Sequence, residues 1–325
     1  MVSSILWGGV NFSELTPWKV ETMTGLNDQT NDITYGNGIW VAVAYRYVYY
    51  STDDAVTWNK VQAGDTDTNW LYICYGDGKF VITTNTNYQK YSTDGKTWIN
   101  CDHNYSLTTS TAKGFGNITY GNGIWVAAGT SKLYAYSTDG ITWDKSEVEY
   151  HPISGVYYCN NIFLAGASTD PGASYSTDGL TWTKLNGITS GHPPRKFAYG
   201  NGIYVGIYDY KDTTWIAYYS TDGINWIKND ITSTNNTKPN DILYFGGYFI
   251  ICSGFGMSAI TNTVHMSTDG KNWNEYTLSD TKYSYNSIGV NIDSGKVIMT
   301  TYGTSGIDNC TIATCNGIPD LNWVN

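Results

Sequence analysis

The sequence predicts an all-β protein, a seven-bladed β-propeller built from four-stranded antiparallel blades. Two observations lead to this prediction. A motif that ends in tryptophan recurs six times, and an apolar phrase recurs seven times around and between its copies. Helical periodicity is absent, and a four-stranded unit that repeats about every 40 to 50 residues is typical of a propeller blade.

The apolar phrase predicts the first two strands of each blade. It reads ITYGNGIWVAVA from Ile33 and returns in related forms near residues 73, 118, 156, 197, 242 and 288. Two apolar runs joined by Asn-Gly or Asp-Gly are a strong hairpin signal, because a type I′ turn needs positive φ at both corners.

The tryptophan motif predicts the third strand, a tight turn and the fourth strand. It reads STDDAVTW from Ser51 and takes shorter forms such as STDGKTW from Ser92. Its aspartate can accept backbone N–H bonds from the residues that follow, and its glycine suits the left-handed corner. We expect the tryptophan to cover the hairpin and its N–H to find a carbonyl. The residues that we expect to be structural are Asp53, Asp94, Asp139, Asp178, Asp222, Asp269, Trp58, Trp98, Trp143, Trp182, Trp226 and Trp273.

The repeats predict one domain over residues 14–325, preceded by an extension over residues 1–13. The segment LTPWKV, which contains Trp18, resembles the end of the tryptophan motif. A degenerate copy of the motif ends at Trp323. We expect the strand around Trp18 to complete the blade that begins near residue 288 and so to close the ring. In the alternative, Trp323 completes that blade and the N-terminal segment adds an edge strand.

The tryptophan motif resembles the Asp-box, the S-x-D-x-G-x-T-W hairpin of bacterial-neuraminidase-type repeats. Most copies here are one residue shorter, a form that is similar to repeats in bacteriophage tail and receptor-binding proteins. The first copy keeps the longer spacing but has Ala55 in place of the glycine. The resemblance implies a propeller, and it implies that the motif is a fold element distant from any active site.

Composition favours an uncharged polar ligand. Only 14% of the residues are charged, 15% are aromatic, and the net charge is −10. A nucleic-acid partner and membrane insertion are therefore not expected, and no signal peptide is recognisable. The six cysteines form no CxxC pair, so we expect buried thiols in a reducing compartment. No cofactor is expected.

Binding residues are expected in the loops between strands two and three and between blades, because these vary while the turns on the opposite face are short and uniform. Both arginines and three of the four histidines fall in these loops. An exposed tryptophan beside tyrosine, aspartate and asparagine would suit a sugar. The candidate ligand-binding residues are Trp70, Asp65, Asp67, Tyr45, Arg46, Tyr88, His103, Tyr105, Asp209, Tyr210, Asp212, Trp215, His192 and Arg195. In the alternative, these residues lie in the loops only because every residue outside the repeats must fall in a loop.

A metal site is not expected. DTDTN, from Asp65, begins like a calcium loop, but Trp70 and Gly76 stand where that loop needs glycine and glutamate.

The sequence argues against a sialidase. That family binds the substrate carboxylate with three arginines, and this chain contains only Arg46 and Arg195. A glycoside hydrolase of another kind needs only two carboxylates. Glu147 and Glu149, beside His151, form the only dense acidic cluster on the loop face, although a solvated acidic loop is the commoner explanation of such a cluster. Serines are frequent, but none has a recognisable base partner in the sequence.

We therefore predict a non-catalytic recognition module that binds a cell-surface or polymeric glycan or a bacterial surface receptor. The phage resemblance implies a place in a virion, released from the producing cytoplasm, with other tail proteins as partners. The alternatives are a glycoside hydrolase that uses loop-face carboxylates, with Glu147 or Asp209 as candidates, and a structural propeller that docks other proteins.

Overall fold

Every regular element in the described part of the chain is a β-strand. The computed structural model describes residues 18–64, 69–84, 89–105, 115–129, 133–147, 155–167, 172–209, 214–233, 238–254, 263–278, 284–302 and 311–316. Within these ranges no helix is long and apolar enough to span a membrane.

The described strands form seven sheets. The first is made of β2 (Thr30–Gly36), β3 (Ile39–Ala44), β4 (Val48–Ser51) and β5 (Asn59–Val61), and the second of β6 (Trp70–Gly76), β7 (Lys79–Thr84), β8 (Gln89–Ser92) and β9 (Ile99–Asn100). The third is made of β10 (Asp102–His103), β11 (Phe115–Gly121), β12 (Ile124–Gly129), β13 (Leu133–Ser137) and β14 (Thr142–Glu147), and the fourth of β15 (Gly155–Cys159), β16 (Ile162–Gly166), β17 (Ser174–Ser176) and β18 (Thr183–Lys184).

The fifth sheet is made of β19 (Lys196–Gly200), β20 (Ile203–Asp209), β21 (Thr214–Ser220) and β22 (Ile227–Thr232), and the sixth of β23 (Lys238–Phe245), β24 (Tyr248–Gly254), β25 (Thr263–Ser267) and β26 (Asn274–Thr277). The seventh joins β27 (Ser284–Asn291), β28 (Lys296–Tyr302) and β29 (Thr311–Asn316) to the N-terminal strand β1 (Trp18–Thr22). All pairings are antiparallel except that of β10, which runs parallel to β14.

The two ends of the described chain meet in the seventh sheet. Strand β1 pairs antiparallel with β29, with Trp18 opposite Cys315 and Thr22 opposite Thr311. The Trp18 side chain packs into the core between the sixth and seventh sheets. The N-terminal strand is therefore the fourth strand of the last sheet; Trp323, the alternative, lies outside the described residues.

The turns between the first two strands are tight and left-handed. Asn37 and Gly38 have φ of 49° and 78°, and Asn201 and Gly202 have φ of 50° and 75°. Because asparagine and glycine tolerate positive φ better than other residues, the Asn-Gly pairs fix the hairpin register that the sequence predicts.

The second strands carry the core. All six residues of β3 and of β12 are buried, and β7, β16 and β24 are buried along nearly their whole length. Residues of the fourth strands are mostly exposed, as in β5, β9 and β22. The first strands contact one another from sheet to sheet, and β27 also contacts β2.

A glycine and a tyrosine connect successive sheets. A Cβ atom on Gly36 would lie 2.1 Å from the ring of Tyr75, the tyrosine of the next apolar phrase. The same relationship links Gly76 to Tyr120, Gly121 to Tyr158, and Gly200 to Tyr244. The Tyr-Gly dipeptide of the phrase therefore does more than precede a turn, since its glycine leaves room for the tyrosine of the following sheet.

The STDG hairpins, residues 51–58 and the five shorter copies at 92–98, 137–143, 176–182, 220–226 and 267–273, are closed by their aspartates. In one copy, Oδ1 of Asp94 accepts hydrogen bonds from the backbone N–H of Lys96 at 2.8 Å and of Thr97 at 2.7 Å. Burial raises the pKa of Asp94, but these hydrogen bonds outweigh it and lower that pKa to about 2. A Cβ atom on Gly95, whose φ is 66°, would lie 2.5 Å from Ile39 of the preceding sheet. This hairpin thus closes its own turn and packs on the preceding sheet.

The expected carbonyl partner of the hairpin tryptophan is found in only some copies. Nε1 of Trp226 donates to the carbonyl of Gly223 at 3.0 Å, and Nε1 of Trp273 to that of Gly270 at 3.3 Å. For Trp58, Trp98, Trp143 and Trp182 the prediction was wrong, because their buried Nε1 atoms have no carbonyl within hydrogen-bonding distance in the structure as described. Packing of the ring, rather than this bond, is what all copies share.

The turns and the STDG hairpins lie on one face of the molecule. Asn201 Nδ2 donates to the carbonyl of Thr268 at 3.4 Å, and Asn291 Nδ2 donates to Asp54 Oδ1 at 2.8 Å. The other ends of the strands, with the described loops at 45–47 and 185–195, therefore lie on the opposite face, which we call the loop face.

The prediction of buried thiols is confirmed for three of the four cysteines whose side chains are described, and the reducing compartment stays a prediction. Cys101, Cys159 and Cys252 are buried, Cys74 is half-buried, and all four are free thiols. The side chain of Cys315 and the whole of Cys310 lie outside the described residues.

Candidate ligand site on the first strands

One register position of the first strands carries a different polar side chain in almost every sheet. It is the residue directly before the apolar start of each phrase, and the apolar neighbours Ile33, Ile73, Ile118, Phe197, Ile242 and Ile288 are buried. We call its six polar members the inner ring: Asp32, Tyr72, Asn117, Lys196, Asp241 and Ser287. Because these residues begin strands that run from the loop face to the turns, the inner ring lies towards the loop face.

Lys196 lies at the centre of the inner ring. Its Nζ is 3.4 Å from Oδ1 of Asp241 in the next sheet. The same atom is 5.7 Å from the ring centroid of Tyr72, three sheets away, and 5.8 Å from that of Tyr157. The ammonium group therefore reaches across the space that the first strands enclose. Burial alone would lower the pKa of Lys196, but the charge of Asp241 holds it well above its ordinary value.

Two carboxylates share one hydroxyl group beside this lysine. Ser287 Oγ lies 2.7 Å from Asp32 Oδ1 and 3.1 Å from Asp241 Oδ2. A serine hydroxyl has a single proton, so it can donate to only one of them at a time. Burial and the charge of Asp241 raise the pKa of Asp32 to about 6, against the opposing effect of Lys196.

Both carboxylates also hold neighbouring first strands together. Asp32 accepts hydrogen bonds from the backbone N–H of Ile33 at 2.9 Å and of Ile73, in the next sheet, at 3.0 Å. Asp241 repeats this arrangement with Ile242 at 3.1 Å and Ile288 at 3.3 Å. These bonds satisfy N–H groups near the register shifts of the first hairpins, where strand pairing is interrupted.

Three asparagines also connect neighbouring first strands by hydrogen bonds. Asn31 Nδ2 donates to the carbonyl of Trp70 at 2.7 Å, and Asn240 Nδ2 to that of Tyr285 at 2.8 Å. Asn286 Nδ2 donates to the carbonyls of Thr30 and Asn31 at 3.3 and 3.1 Å. The tripeptide Asn-Asp-Ile at residues 31–33 and 240–242 is thus a joint between sheets.

Asn117 of the inner ring contacts Tyr157, which lies on the first strand of the next sheet. Asn117 Nδ2 donates to the Tyr157 hydroxyl oxygen at 3.3 Å. The other polar atom of this amide, Oδ1, is buried and has no hydrogen-bond donor in the described structure. An acceptor without a donor in a polar, enclosed place is a position that a ligand or water can complete.

His192 and Arg195, two of the predicted loop-face residues, lie together on Tyr208. The guanidinium carbon of Arg195 is 5.0 Å from the Tyr208 ring centroid, and the His192 ring meets Tyr208 edge-on at 5.4 Å. Arg195 directly precedes Lys196, so this group adjoins the inner ring in the chain.

His103 and Tyr105 form a second group at the loop face. His103 Nε2 lies 2.5 Å from Oε1 of the buried Gln89, and the His103 and Tyr105 rings meet edge-on at 5.3 Å. Burial lowers the pKa of His103, although the charge of Asp102 opposes that effect. Tyr45 and Arg46 make a third, fully exposed pair, with the guanidinium 5.2 Å from the ring centroid.

The two tryptophans expected to be exposed sugar platforms are core residues, so that prediction was wrong. Trp70 and Trp215 are 1% and 0% exposed. Trp70 begins β6 and packs among Val43 and Ile82, while Trp215 meets Trp273 edge-on at 5.4 Å. Their indoles fill the space between sheets near the loop face, because burying so large an apolar surface is more favourable than leaving it in water.

Several candidates fall outside the described residues: Asp65, Asp67, Tyr88, Tyr210, Asp212, Glu149 and His151. Asp209 and Glu147 are described only as the backbone ends of β20 and β14. The hydrolase alternative built on Glu147 or Asp209 therefore stays a prediction.

One serine does have a base partner, contrary to the sequence-based interpretation. Ser253 Oγ lies 3.1 Å from Nδ1 of His265, and Nε2 of His265 lies 3.4 Å from Glu275. Ser233 of the preceding sheet donates to the same Glu275 carboxylate at 3.0 Å. Ser253 and His265 are only 0% and 2% exposed, so this network joins two sheets rather than offering a nucleophile to a substrate.

The inner ring cannot be found by comparing only the residues that repeat. Its signal in the sequence is the opposite pattern: the position before a recurring apolar residue changes from aspartate to tyrosine, asparagine, lysine and serine. Among the described residues no group of three or more histidine, cysteine, aspartate or glutamate side chains could hold a metal ion.

Comparison with solved structures shows the same fold in proteins of dissimilar sequence. A streptogramin B lyase structure matches with a TM-score of 0.73 and 13% identity, over 92% of this chain and 98% of that one. Selenomethionine-substituted virginiamycin B lyase from Staphylococcus aureus gives 0.72 and 14%, over 91% and 98%. YCF48 bound to D1 peptide gives 0.69 and 13%, over 94% and 98%.

No protein-family model matches the sequence, and no curated protein is similar to it. At such low identity the structural matches establish the fold alone. The predicted all-β propeller is thereby confirmed.

Proposed function

We propose that this protein is a recognition module that binds a glycan at the loop face, over the inner ring. The observation that carries the proposal is the inner ring itself. Six first strands place five different kinds of polar side chain at one register position, whereas the residue that follows is a buried apolar one in each of them. Fold stability needs the repeated positions, so variation at a single polar position favours a role in recognition.

We also propose that the seven sheets are the blades of one closed ring. The contacts of β27 with β2, the bonds from Asn286 and Ser287 to the first sheet, and the pairing of β1 with β29 support closure. A closed ring gives the first strands a common axis, on which the inner ring can act as one site.

A glycan fits the chemistry of this face. The inner ring and the adjoining Tyr157 combine hydroxyl, amide, carboxylate and ammonium groups with two tyrosine rings, and hydroxyl-rich ligands need such alternating donors and acceptors. The chain is poor in charge, which suits a neutral ligand. The exposed Tyr45 and the Tyr208 group extend aromatic surface onto the surrounding loops.

A glycan array followed by calorimetry tests the proposal. We expect the protein to bind one class of glycan without releasing new reducing ends. Lys196→Met should weaken that binding at least tenfold, whereas Lys228→Met, on the exposed strand β22, should leave it unchanged. Failure to bind any glycan at millimolar concentration, or equal binding by both variants, would show that the proposal is wrong.

We further propose that the glycan belongs to a bacterial surface and that the protein is carried on a virion. The support is the likeness of the short STDG hairpins to bacteriophage tail repeats. Labelled protein should bind cells of a susceptible strain and lose that binding when the surface polysaccharide is removed by mutation. Equal binding to both strains would argue against this location of the ligand.

A second candidate is a protein-docking propeller. YCF48, whose structure with D1 peptide shares this fold, supports it by analogy only. The exposed Tyr45–Arg46 pair supports it specifically, because aromatic residues and arginine are enriched at protein interfaces. Tyr45→Ala should then abolish co-purification of a protein partner, whereas Lys196→Met, the variant expected to weaken glycan binding, should leave it unchanged.

A further inference from the structure

Four polar side chains, one each from the fifth, sixth, seventh and first sheets, form a continuous series of contacts. Lys196 Nζ lies 3.4 Å from Asp241 Oδ1, and Ser287 Oγ lies 3.1 Å from Asp241 Oδ2 and 2.7 Å from Asp32 Oδ1. The last of these contacts crosses from β27 to β2. We call the contact between these two strands, where the last sheet meets the first, the terminal junction.

This series lacks one proton when both aspartates are ionised. The Ser287 hydroxyl has a single proton, so it can donate to only one of its two carboxylate neighbours. Two carboxylates that contact the same oxygen without a proton between them repel each other. A proton on Asp32 removes the conflict, because Asp32 then donates to Ser287 and Ser287 donates to Asp241.

The position of Lys196 determines which aspartate takes that proton. Each aspartate accepts hydrogen bonds from two backbone N–H groups, so these bonds favour the ionised form of both. Lys196 lies within ion-pairing distance of Asp241, whereas no lysine or arginine of the described ranges lies within that distance of Asp32. The ionised form is therefore better stabilised at Asp241, and the proton belongs on Asp32.

The other titratable groups that face this series are Cys74 and Tyr72 on β6 and Tyr157 on β15. Burial raises the pKa of Cys74 to about 12 and also raises that of Tyr157, so both groups stay neutral at acidic and neutral pH. Burial and the charge of Asp241 raise the pKa of Asp32 to about 6, in agreement with the proton count. Asp32 therefore changes its charge between pH 5 and 7.

We propose that Asp32, Ser287 and Asp241 form a proton-dependent latch at the terminal junction. With Asp32 protonated, the latch is closed and β27 is fastened to β2 through Ser287. When Asp32 loses its proton to water, its carboxylate competes with that of Asp241 for the Ser287 hydroxyl, and the terminal junction opens more often. This inference does not depend on the identity of any ligand.

Hydrogen–deuterium exchange of the intact protein at pH 5 and pH 7.5 tests the latch, after correction for the intrinsic effect of pH on exchange. Protection in segments 30–36 and 284–291 should fall about tenfold or more at the higher pH. Segments 115–121 and 155–159 provide the internal control, because their strands are joined by the uncharged pair Asn117 and Tyr157. An equal fall in all four segments, or none at the terminal junction, would overturn the proposal.

Asp32→Asn keeps a neutral side chain that can donate to Ser287, so it should retain full protection at both pH values. Asp293→Asn changes an exposed aspartate that contacts Tyr35 across the same two sheets, and it should behave like the unaltered protein. A fall in protection of the Asp32→Asn variant equal to that of the unaltered protein would show that Asp32 does not control the junction.

Infrared difference spectra of the unaltered protein provide a measurement that needs no variant. At pH 5 carboxyl groups with ordinary pKa values are mostly ionised, so a buried Asp32 should give a carboxylic acid band that disappears by pH 7.5. The absence of such a band at pH 5 would overturn the latch even if the Asp32→Asn variant fails to fold.

Discussion

Asp54 accepts a hydrogen bond from Asn291 at 2.8 Å, across 237 residues of sequence. The same Oδ1 accepts from Nε1 of the buried Trp40 at 2.9 Å, and Lys296 donates to the Asp54 backbone carbonyl. Asp54 is the additional residue that makes the first STDG hairpin longer than the others. The one irregular copy is therefore the copy that joins the first sheet to the last.

Asp54→Ala should destabilise the protein by about 1–3 kcal/mol, because the Trp40 N–H and the Asn291 amide would each lose an acceptor. The free energy of unfolding in urea measures this. Asp77→Ala, which removes an exposed turn aspartate paired with Lys79, serves as the control and should cost under about 0.5 kcal/mol. A similar loss in both variants would argue against a specific joint at Asp54.

Gly36→Ala should be destabilising through Tyr75, since the added Cβ atom would lie 2.1 Å from that ring. Gly38→Ala changes a turn glycine with φ of 78° and open space around it, so its cost of roughly 1–2 kcal/mol comes from the backbone alone. In double-mutant cycles with Tyr75→Leu, we expect a coupling energy of about 1 kcal/mol or more for Gly36→Ala. No coupling is expected for Gly38→Ala, and equal coupling in both cycles would contradict the packing described here.

Trp70→Ala should cost about 3–5 kcal/mol in the free energy of unfolding, as expected for a large side chain lost from a core. Tyr45→Ala removes an aromatic ring that is 55% exposed and should change stability by less than about 0.5 kcal/mol. Chemical denaturation of the two variants distinguishes a core tryptophan from a surface platform. A small effect for Trp70→Ala would restore the original sequence-based interpretation.

Stability should decrease as the pH rises from about 4 through 6, because of Asp32. Its pKa is raised from the ordinary value to about 6, so the folded state binds the proton more tightly than the unfolded state does in that window. Roughly two pKa units correspond to a contribution of up to about 3 kcal/mol, which is complete below pH 4 and lost above pH 6. The free energy of unfolding of Asp32→Asn should lack this component of the slope. Parallel pH profiles for the two proteins would show that Asp32 titrates normally.

The aspartates of the STDG hairpins give the stability of the protein the opposite pH dependence. Hydrogen bonds from the turn lower the pKa of Asp53, Asp94, Asp178 and Asp269 to about 2, despite the raising effect of their partial burial. Their stabilising contribution is present above pH 4 and is lost as the pH falls towards 2. Thermal unfolding should accordingly shift to lower temperature between pH 4 and pH 2, and less so in a protein with Asp94→Asn and Asp178→Asn. An unchanged shift in that double variant would mean that other groups control acid unfolding.

The repeats allowed the strands to be predicted. The candidate site was missed because it lies at a position that differs from repeat to repeat. Asn37-Gly38 and Ser92-Thr93-Asp94-Gly95 are local signals, since each fixes its turn through its own backbone and side chain. Trp70 was misassigned because residues outside the repeat were taken to lie at the surface, whereas its position at the start of β6 faces the neighbouring sheet.

The inner ring depends on contacts that no local pattern contains. Lys196 and Tyr72 are far apart in sequence and meet only because the first strands of all sheets come together. The Ser253–His265–Glu275 network is of the same kind, since strand pairing across β24, β25 and β26 brings its members together. Such sites can be found from sequence only by aligning the repeats with each other and asking which position fails to repeat.

Hydrogen–deuterium exchange with and without the glycan selected on the array tests the central claim most directly, namely that the STDG hairpins hold the fold while the loop-face ends of the first strands bind the ligand. We expect the ligand to slow exchange in segments 30–33, 195–198 and 238–242 and to leave the hairpins at 92–98 and 176–182 unchanged. Protection confined to those hairpins, with none in the first strands, would contradict the account.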